Sequence, residues 1–231
     1  MKKSSLFSQY LYLGCVYLFL YLPIAVLIIY SFNNSQFSML WHGFTLSWYH
    51  QLWHDNTLWL SALNSLIVGI LASTFAAFIG LLAAFCLYRY RFFGKKLLHG
   101  LIFILIVSPD IVMGTSLLIL YSTIRMPLGF WSLLLAHTMF CIPFVTITVY
   151  SRITSIDKNI FEAAKDLGAT DLTIFHRITI PLLFPSILAG WLLSFALSID
   201  DVIISYFVTG PNFQILPLQI YSMVRMGVNP E

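Results

Sequence analysis

Charged side chains are scarce in this sequence. Twelve residues are Lys or Arg and nine are Asp or Glu, 9% of 231 in all, against about 25% in a soluble domain. With 59% hydrophobic residues and a mean hydropathy of +0.88, a water-exposed globular protein is excluded and a membrane protein is expected. Cysteine is equally thin. Cys15, Cys86 and Cys141 stand singly inside apolar runs and form no C-x-x-C pair, so they read as small hydrophobes rather than metal or redox groups. No G-x-x-x-x-G-K-[ST] loop occurs, since Gly94-Lys95 lacks the upstream glycine. Any ATP must therefore be bound by a different chain. A net charge of +3 gives no argument for nucleic acid. Internal repeats, low-complexity tracts and flexible linkers are also missing, so residues 1–231 read as a single transmembrane domain.

Long apolar runs fill the space that charge leaves. Residues 10–30, 63–88 and 128–151 carry no charge, and neither do residues 181–199, which meet Asp200-Asp201 and stay apolar to Val208. Residues 97–124 carry one, Asp110. Each run meets the roughly 20 residues a membrane helix needs. Lipid offers no partner to backbone polar groups, so helices are their expected form. The sequence thus predicts an all-α integral membrane fold with five spans.

Ten of the twelve basic residues fall on one side of this arrangement. They lie in the N-terminal tail, in the segment after the second run (Arg89, Arg91, Lys95, Lys96) and in the segment after the fourth (Arg152, Lys158, Lys165, Arg177). Positive residues mark the cytoplasmic side, which places the N-terminus in the cytoplasm. The opposite segment, residues 31–60, is rich in aromatics (Trp41, Trp48, Tyr49, Trp53, Trp59). It reads as an interfacial belt or, in part, as a contact for an external partner.

One polar stretch lies between the fourth and fifth runs. It reads Glu162-Ala163-Ala164-Lys165-Asp166-Leu167-Gly168 and, nine residues later, Ile178-Thr179-Ile180-Pro181. Ser155 or Asp157 can cap a first short helix, and Ile160, Phe161, Ala164 and Leu167 give it an apolar face. Gly168 suits a left-handed stop. Thr170 or Asp171 can start a second short helix, and Pro181 begins the next span. The small Ala163 and Ala164 permit close approach of a partner, and Glu162 can pair with a basic residue. The bland alternative is an amphipathic connector lying on the membrane.

The acids at membrane depth form a second cluster of interest. Such a residue costs at least about 2.5–3.5 kcal/mol, so it needs a partner, a wet cavity or a function. Asp110 follows Pro109, which breaks a helix, and it reads either as a cation ligand beside that break or as a cap of the second half-helix. Asp200 and Asp201 are about 100° apart on a helix. One is expected to face a pathway and the other a neighbouring helix or the interface. Trp131, Tyr206 and Tyr221 offer ring faces that attract a desolvated ammonium. His99 and His137 read as packing or helix–helix hydrogen-bonding residues.

Glu-Ala-Ala, Gly168 and the Ile-x-Ile-Pro stretch together resemble the coupling loop of ABC-importer permeases. Further stretches resemble one branch of that family: Tyr88-Arg89-Tyr90-Arg91-Phe92, Ser108-Pro109-Asp110-Ile111-Val112, Ser198-Ile199-Asp200-Asp201-Val202, Phe207-Val208-Thr209-Gly210-Pro211 and Met226-Gly227-Val228-Asn229-Pro230-Glu231. Across essentially its whole length the chain is similar to the PotC-type permeases of bacterial spermidine/putrescine ABC transporters. The resemblance implies a type I ABC importer transmembrane domain in the bacterial inner membrane, with a sixth span expected beyond Glu231. It implies that residues 152–180 are a cytoplasmic coupling loop, with Glu162, Ala163, Ala164, Gly168, Ile178 and Pro181 in contact with an ATPase. Implied partners are a homologous PotB-type permease, an ATPase dimer that binds the ATP and Mg, a periplasmic polyamine-binding protein and membrane lipid, with no nucleic acid. The chain itself would hold no cofactor and catalyse nothing. Asp110, Asp200 and Asp201, with Trp131, Tyr206 and Tyr221, become candidate pathway residues. Another cation cargo such as ferric iron fits the acids equally well, and an ATP-independent channel or secondary transporter is the alternative of a different class.

Overall fold

The computed structural model describes residues 2–35 and 40–226. Its helices run α1 Lys2–Tyr30, α2 Ser47–His54, α3 Asn56–Arg89, α4 Lys95–Val107, α5 Asp110–Thr123, α6 Phe130–Thr154, α7 Lys158–Asp166, α8 Asp171–Ile174, α9 Ile180–Asp200, α10 Ile203–Val208 and α11 Leu216–Met226. Among the described residues there is no strand, only one isolated bridge between Asn33 and Phe44. Among the described residues, four helical stretches are long and apolar enough to cross a membrane: Gln9–Tyr30, Asn56–Arg89, Phe130–Thr154 and Asp171–Asp200. A fifth crossing is counted if α4 and α5 are one broken span. Those two helices meet at 112°. The break sits at Ser108-Pro109, where the proline has no N–H to continue the helix. The sixth span, expected beyond Glu231, and residues 227–231 lie outside the described residues.

Three boundaries differ from the sequence reading. The second span starts near Asn56 rather than Leu63, because the Asp55 carboxylate caps it, accepting from Thr57 N–H at 2.8 Å and Leu58 N–H at 3.2 Å. α6 continues through Arg152 to Thr154. The second short helix of the connector does not stand apart from the last span. Residues 171–200 form one helix, passing through a π-turn at Phe175–Thr179. The Ile180 N–H reaches back to the Phe175 carbonyl in the wide register. The wide turn falls just before Pro181, whose ring and missing N–H disrupt the ordinary α register.

The chain gathers into two compact units. The described residues up to Trp59, with those from Ile220 on, form the first, and Leu60–Gln219 form the second. In the first, Phe32 lies against Phe44 and Tyr49 with centroids 5.3 and 5.2 Å away. Trp48 donates from its indole to the Asn33 carbonyl at 2.9 Å.

In the second unit α6 is the central helix. One buried cluster joins α3 (Ala76, Ala77, Leu81, Ala84), α6 (Cys141, Val145, Val149, Ile153) and Leu183 of α9. Another joins α5 (Met113, Leu117, Tyr121), α6 (Leu133, Ala136), α10 (Ile204, Val208) and Ile215. Lipid tails are as apolar as leucine, so helices associate here by close packing of small residues. Val145 shows this. A Cβ placed on Gly80 would lie 2.8 Å from the Val145 side chain, and one on Gly190 3.2 Å from the Val145 Cα. α3 and α9 can therefore approach α6 closely on both sides of one valine.

Gly80→Ala is expected to destabilise the folded permease by about 1–3 kcal/mol through overpacking. Val145→Ala in the same chain should recover part of the loss. Gly100→Ala, which meets nothing within 4 Å, should not destabilise. Thermal melts of the purified protein would show the order; equal melts for Gly80→Ala and Gly100→Ala would contradict the packing.

Candidate functional site

The connector forms as its residues dictate. Asp157 is the cap of α7, its carboxylate accepting from Asn159 N–H at 3.0 Å. Ser155 instead donates its hydroxyl to the Arg152 carbonyl. α7 ends in a paired closure, with Gly168 N–H on the Lys165 carbonyl at 2.8 Å and Ala169 N–H on the Ala164 carbonyl at 3.0 Å. This closure needs a left-handed residue, and Gly168 supplies it at φ +83°. Thr170 caps the following helix, accepting from Thr173 N–H at 3.3 Å.

Ala164 is buried and Phe161 half-buried, whereas Glu162, Ala163 and Ile160 are exposed. Leu167, expected on the apolar face, is 89% exposed, because the closure at Gly168 turns the chain before another turn of helix can bury it. Leu172 is also exposed. Ile178 is half-buried in the π-turn and Pro181 is exposed. Two cations converge on one oxygen: Arg89 Nη2 and Lys165 Nζ each lie 3.4 Å from Asp171 Oδ1. These groups are solvent-exposed, so water screens the attraction and the pairing serves position rather than stability. They tie α7 and α8 to the end of α3. Beneath them is a cavity of about 720 Å³, lined by Phe85, Tyr88, Arg89, Phe161, Glu162 and Phe175 among others.

The aspartates lie at the two helix breaks. Asp110 is the first residue of α5, half-exposed, and makes no capping bond. Its charge still suits the positive end of the helix dipole. Gly114, one turn on, lets α5 close against α10; a Cβ there would come within 2.6 Å of the Phe207 ring and 3.3 Å of the Ile204 Cα. The break at Pro109 and the break between α9 and α10 thus border one packed pair of helices.

Asp200 and Asp201 face different surroundings. Asp200 closes α9 and is exposed. Asp201 is at the bend, its side chain 7% exposed. Its Oδ1 accepts from Ile204 N–H at 3.2 Å, and its Oδ2 from Ser205 N–H at 2.8 Å and from the Ser205 hydroxyl at 2.7 Å. The carboxylate is committed to capping α10. Trp131 and Tyr206 are exposed, each packed edge-on against a neighbouring Phe. Tyr221 lies on α11 in the other unit and is exposed.

Among the described residues no group of three or more His, Cys, Asp or Glu could hold a metal ion. Open carboxylates at helix breaks suit a cation leaving water. A connector with protruding apolar side chains suits a protein partner.

The helical membrane fold and the family it matches define a binding-protein-dependent membrane permease. Residues 76–228 match the family described as binding-protein-dependent transport system inner membrane component, and the chain belongs to it. It is 51% identical to the spermidine/putrescine transport system permease protein PotC of Escherichia coli (strain K12), over 95% of this chain and 83% of that protein. Against the protein of the same name from Haemophilus influenzae the identity is 47%, over 99% and 89%. The putrescine transport system permease protein PotI of Escherichia coli (strain K12) is 42% identical over 92% and 78%. A crystal structure of a bacterial ABC transporter that imports the acidic polysaccharide alginate superposes with a TM-score of 0.77, covering 99% of this chain and 84% of that one at 19% identity. An amino acid ABC transporter gives 0.61, covering 80% and 87%. The fold is that of ABC-importer permeases.

Asp201→Ala is expected to lower stability by about 1–3 kcal/mol, the loss of charge-assisted bonds to the first turn of α10. Asp200→Ala, at an exposed position, should stay within about 0.5 kcal/mol. Thermal unfolding of the two purified variants decides this; a melt for Asp200→Ala as low as that for Asp201→Ala would contradict the division.

Proposed function

We propose that this chain is the permease subunit of an ATP-driven polyamine importer in the bacterial inner membrane, with its N-terminus in the cytoplasm. It forms half of the pathway beside a PotB-type permease. A periplasmic binding protein delivers spermidine or putrescine, and an ATPase dimer, which holds the ATP and Mg, drives the cycle. The observation that carries this reading is the near-full-length similarity, at about half of all positions, to permeases named for spermidine and putrescine.

Asp110 and Asp200 are the carboxylates available to a polycation, because neither is spent on a helix cap. Asp201 holds the bend instead. Tyr206, five residues past the bend at Asp201, and Trp131, at the start of α6, offer exposed ring faces, and Tyr221 in the other unit is exposed as well. The connector is the coupling element. Glu162, Ala163 and Leu167 lie on the exposed side of α7, where an ATPase surface would sit, while Gly168, Ile178 and Pro181 shape the turn and the helix that carry the motion into α9. When the ATPases close, the two connectors draw together and the pathway opens outward. Hydrolysis returns it inward.

ATP-dependent uptake of labelled spermidine, in cells carrying the operon with and without this chain, tests the reading. Subunit-dependent uptake that unlabelled putrescine blocks and ferric iron does not is expected. Blockage by iron alone would replace the cargo. Asp200→Asn and Asp110→Asn should each cut that uptake at normal protein levels; two fully active variants would remove both acids from the pathway.

Gly168→Val fits the available space but not the left-handed backbone, a strain of about 1–2 kcal/mol or more for a β-branched residue. It should cut transport with the protein still inserted. Gly168→Asn, which tolerates this conformation, should retain most activity. Normal uptake by Gly168→Val would contradict the coupling role.

A further inference from the structure

A relay of hydrogen bonds crosses the break between α9 and α10. His137 of α6 is buried, with 2% of its side chain exposed. Its Nδ1 lies 2.7 Å from the Ser198 hydroxyl, on the last turn of α9, and its Nε2 lies 2.8 Å from the Ser205 hydroxyl, on α10. One ring therefore bonds to both sides of the bend. The Ser205 hydroxyl donates to Asp201 Oδ2, so it accepts from His137 Nε2–H, and Nδ1 is left to accept the Ser198 proton. The sequence Ser198 to His137 to Ser205 to Asp201 has a donor and an acceptor at every step. The far end of α10 is pinned to the same helix, since the Ser132 hydroxyl donates to the Val208 carbonyl at 2.7 Å.

We propose that His137 is a positioning residue, which fixes the angle between α9 and α10 and so sets where Asp200 presents its carboxylate. Helices that break in a membrane need internal partners for the groups freed there. Asp201 satisfies the first turn of α10, but a cap alone leaves the bend free to pivot about residues 201 and 202. The imidazole removes that freedom by holding Ser198 and Ser205 at set points on α6. Its effect on transport rests on the proposed meeting of Asp200 with cargo; its effect on the bend does not.

The test is a distance measurement in the assembled transporter. Nitroxide labels are attached to cysteines introduced by Leu188→Cys on α9 and Ile203→Cys on α10, both exposed. The background carries Cys15→Ser and Cys86→Ser, and Cys141 is buried. A narrow distribution is expected with His137. His137→Leu, which removes both bonds, should broaden or shift it, and uptake of labelled spermidine should fall by about tenfold or more, the scale of one lost buried bond. His137→Gln, whose amide can accept and donate at once, should restore the narrow distribution and most of the uptake. Should His137→Leu fail to assemble, Ser198→Ala cuts only the α9 side, leaves the Asp201–Ser205 cap intact and should broaden the distribution by itself. An unchanged distribution in His137→Leu, or in Ser198→Ala where Leu does not assemble, would overturn the proposal, as would equal behaviour of the Leu and Gln variants. Broadened distances with unaltered spermidine uptake would uphold the tether at the bend and overturn its link to the cargo.

Discussion

A helix that breaks at membrane depth frees backbone groups that lipid cannot satisfy, each at a cost of several kcal/mol. This constraint organises the second unit of the molecule. Two breaks occur there, at Pro109 and at Asp201-Val202, and they are managed differently. The first is imposed by a proline, which has no N–H to satisfy. The second contains no proline, and its freed N–H groups are met by the Asp201 carboxylate. An acid at this depth would be hard to account for as a spectator. Here its charge is balanced by three donors and buried against His137. Its neighbour Asp200 has no such employment, and this difference separates a structural acid from an available one.

Close packing makes the breaks possible. α6 carries the load, with α3 and α9 drawn against Val145 through Gly80 and Gly190, and α10 drawn against α5 through Gly114. Glycine is used at these points for the space a Cβ would take. At Gly168 it is used for its backbone freedom, to end α7 with the carbonyls of Ala164 and Lys165 satisfied. The connector that results is joined to α9 by an unbroken helix through a π-turn. α8 and the bend at Asp201 therefore lie on one continuous helix.

Much of this was legible in the residues themselves. Apolar runs located the long helices, Pro109 located the first break, and Gly168 marked the connector's stop, while its starts were narrowed to Ser155 or Asp157 and Thr170 or Asp171, of which Asp157 and Thr170 are the caps, because caps are local chemistry. Three things were not legible. The start of α3 was missed because Asp55 was read as part of a loop rather than as a cap eight residues upstream of the apolar run. The continuity of residues 171–200 was missed because Pro181 looks like a beginning, whereas a wide turn lets the helix pass through it. The relay at His137 was anticipated only as packing or a helix–helix hydrogen bond. Its partners lie 61 and 68 residues away, and no periodicity says which helices will meet. For the same reason the sequence allowed Asp200 and Asp201 to divide their roles but could not assign them.

The central claim is that the two adjacent aspartates are divided, one open to cargo and one committed to the bend. A structure of the assembled transporter, trapped with spermidine in its pathway, tests it most directly. The account predicts an amine of the cargo within hydrogen-bond distance of the Asp200 or Asp110 carboxylate, with Asp201 still bonded to Ser205. An amine bound to Asp201, with α10 released from its cap, would contradict it.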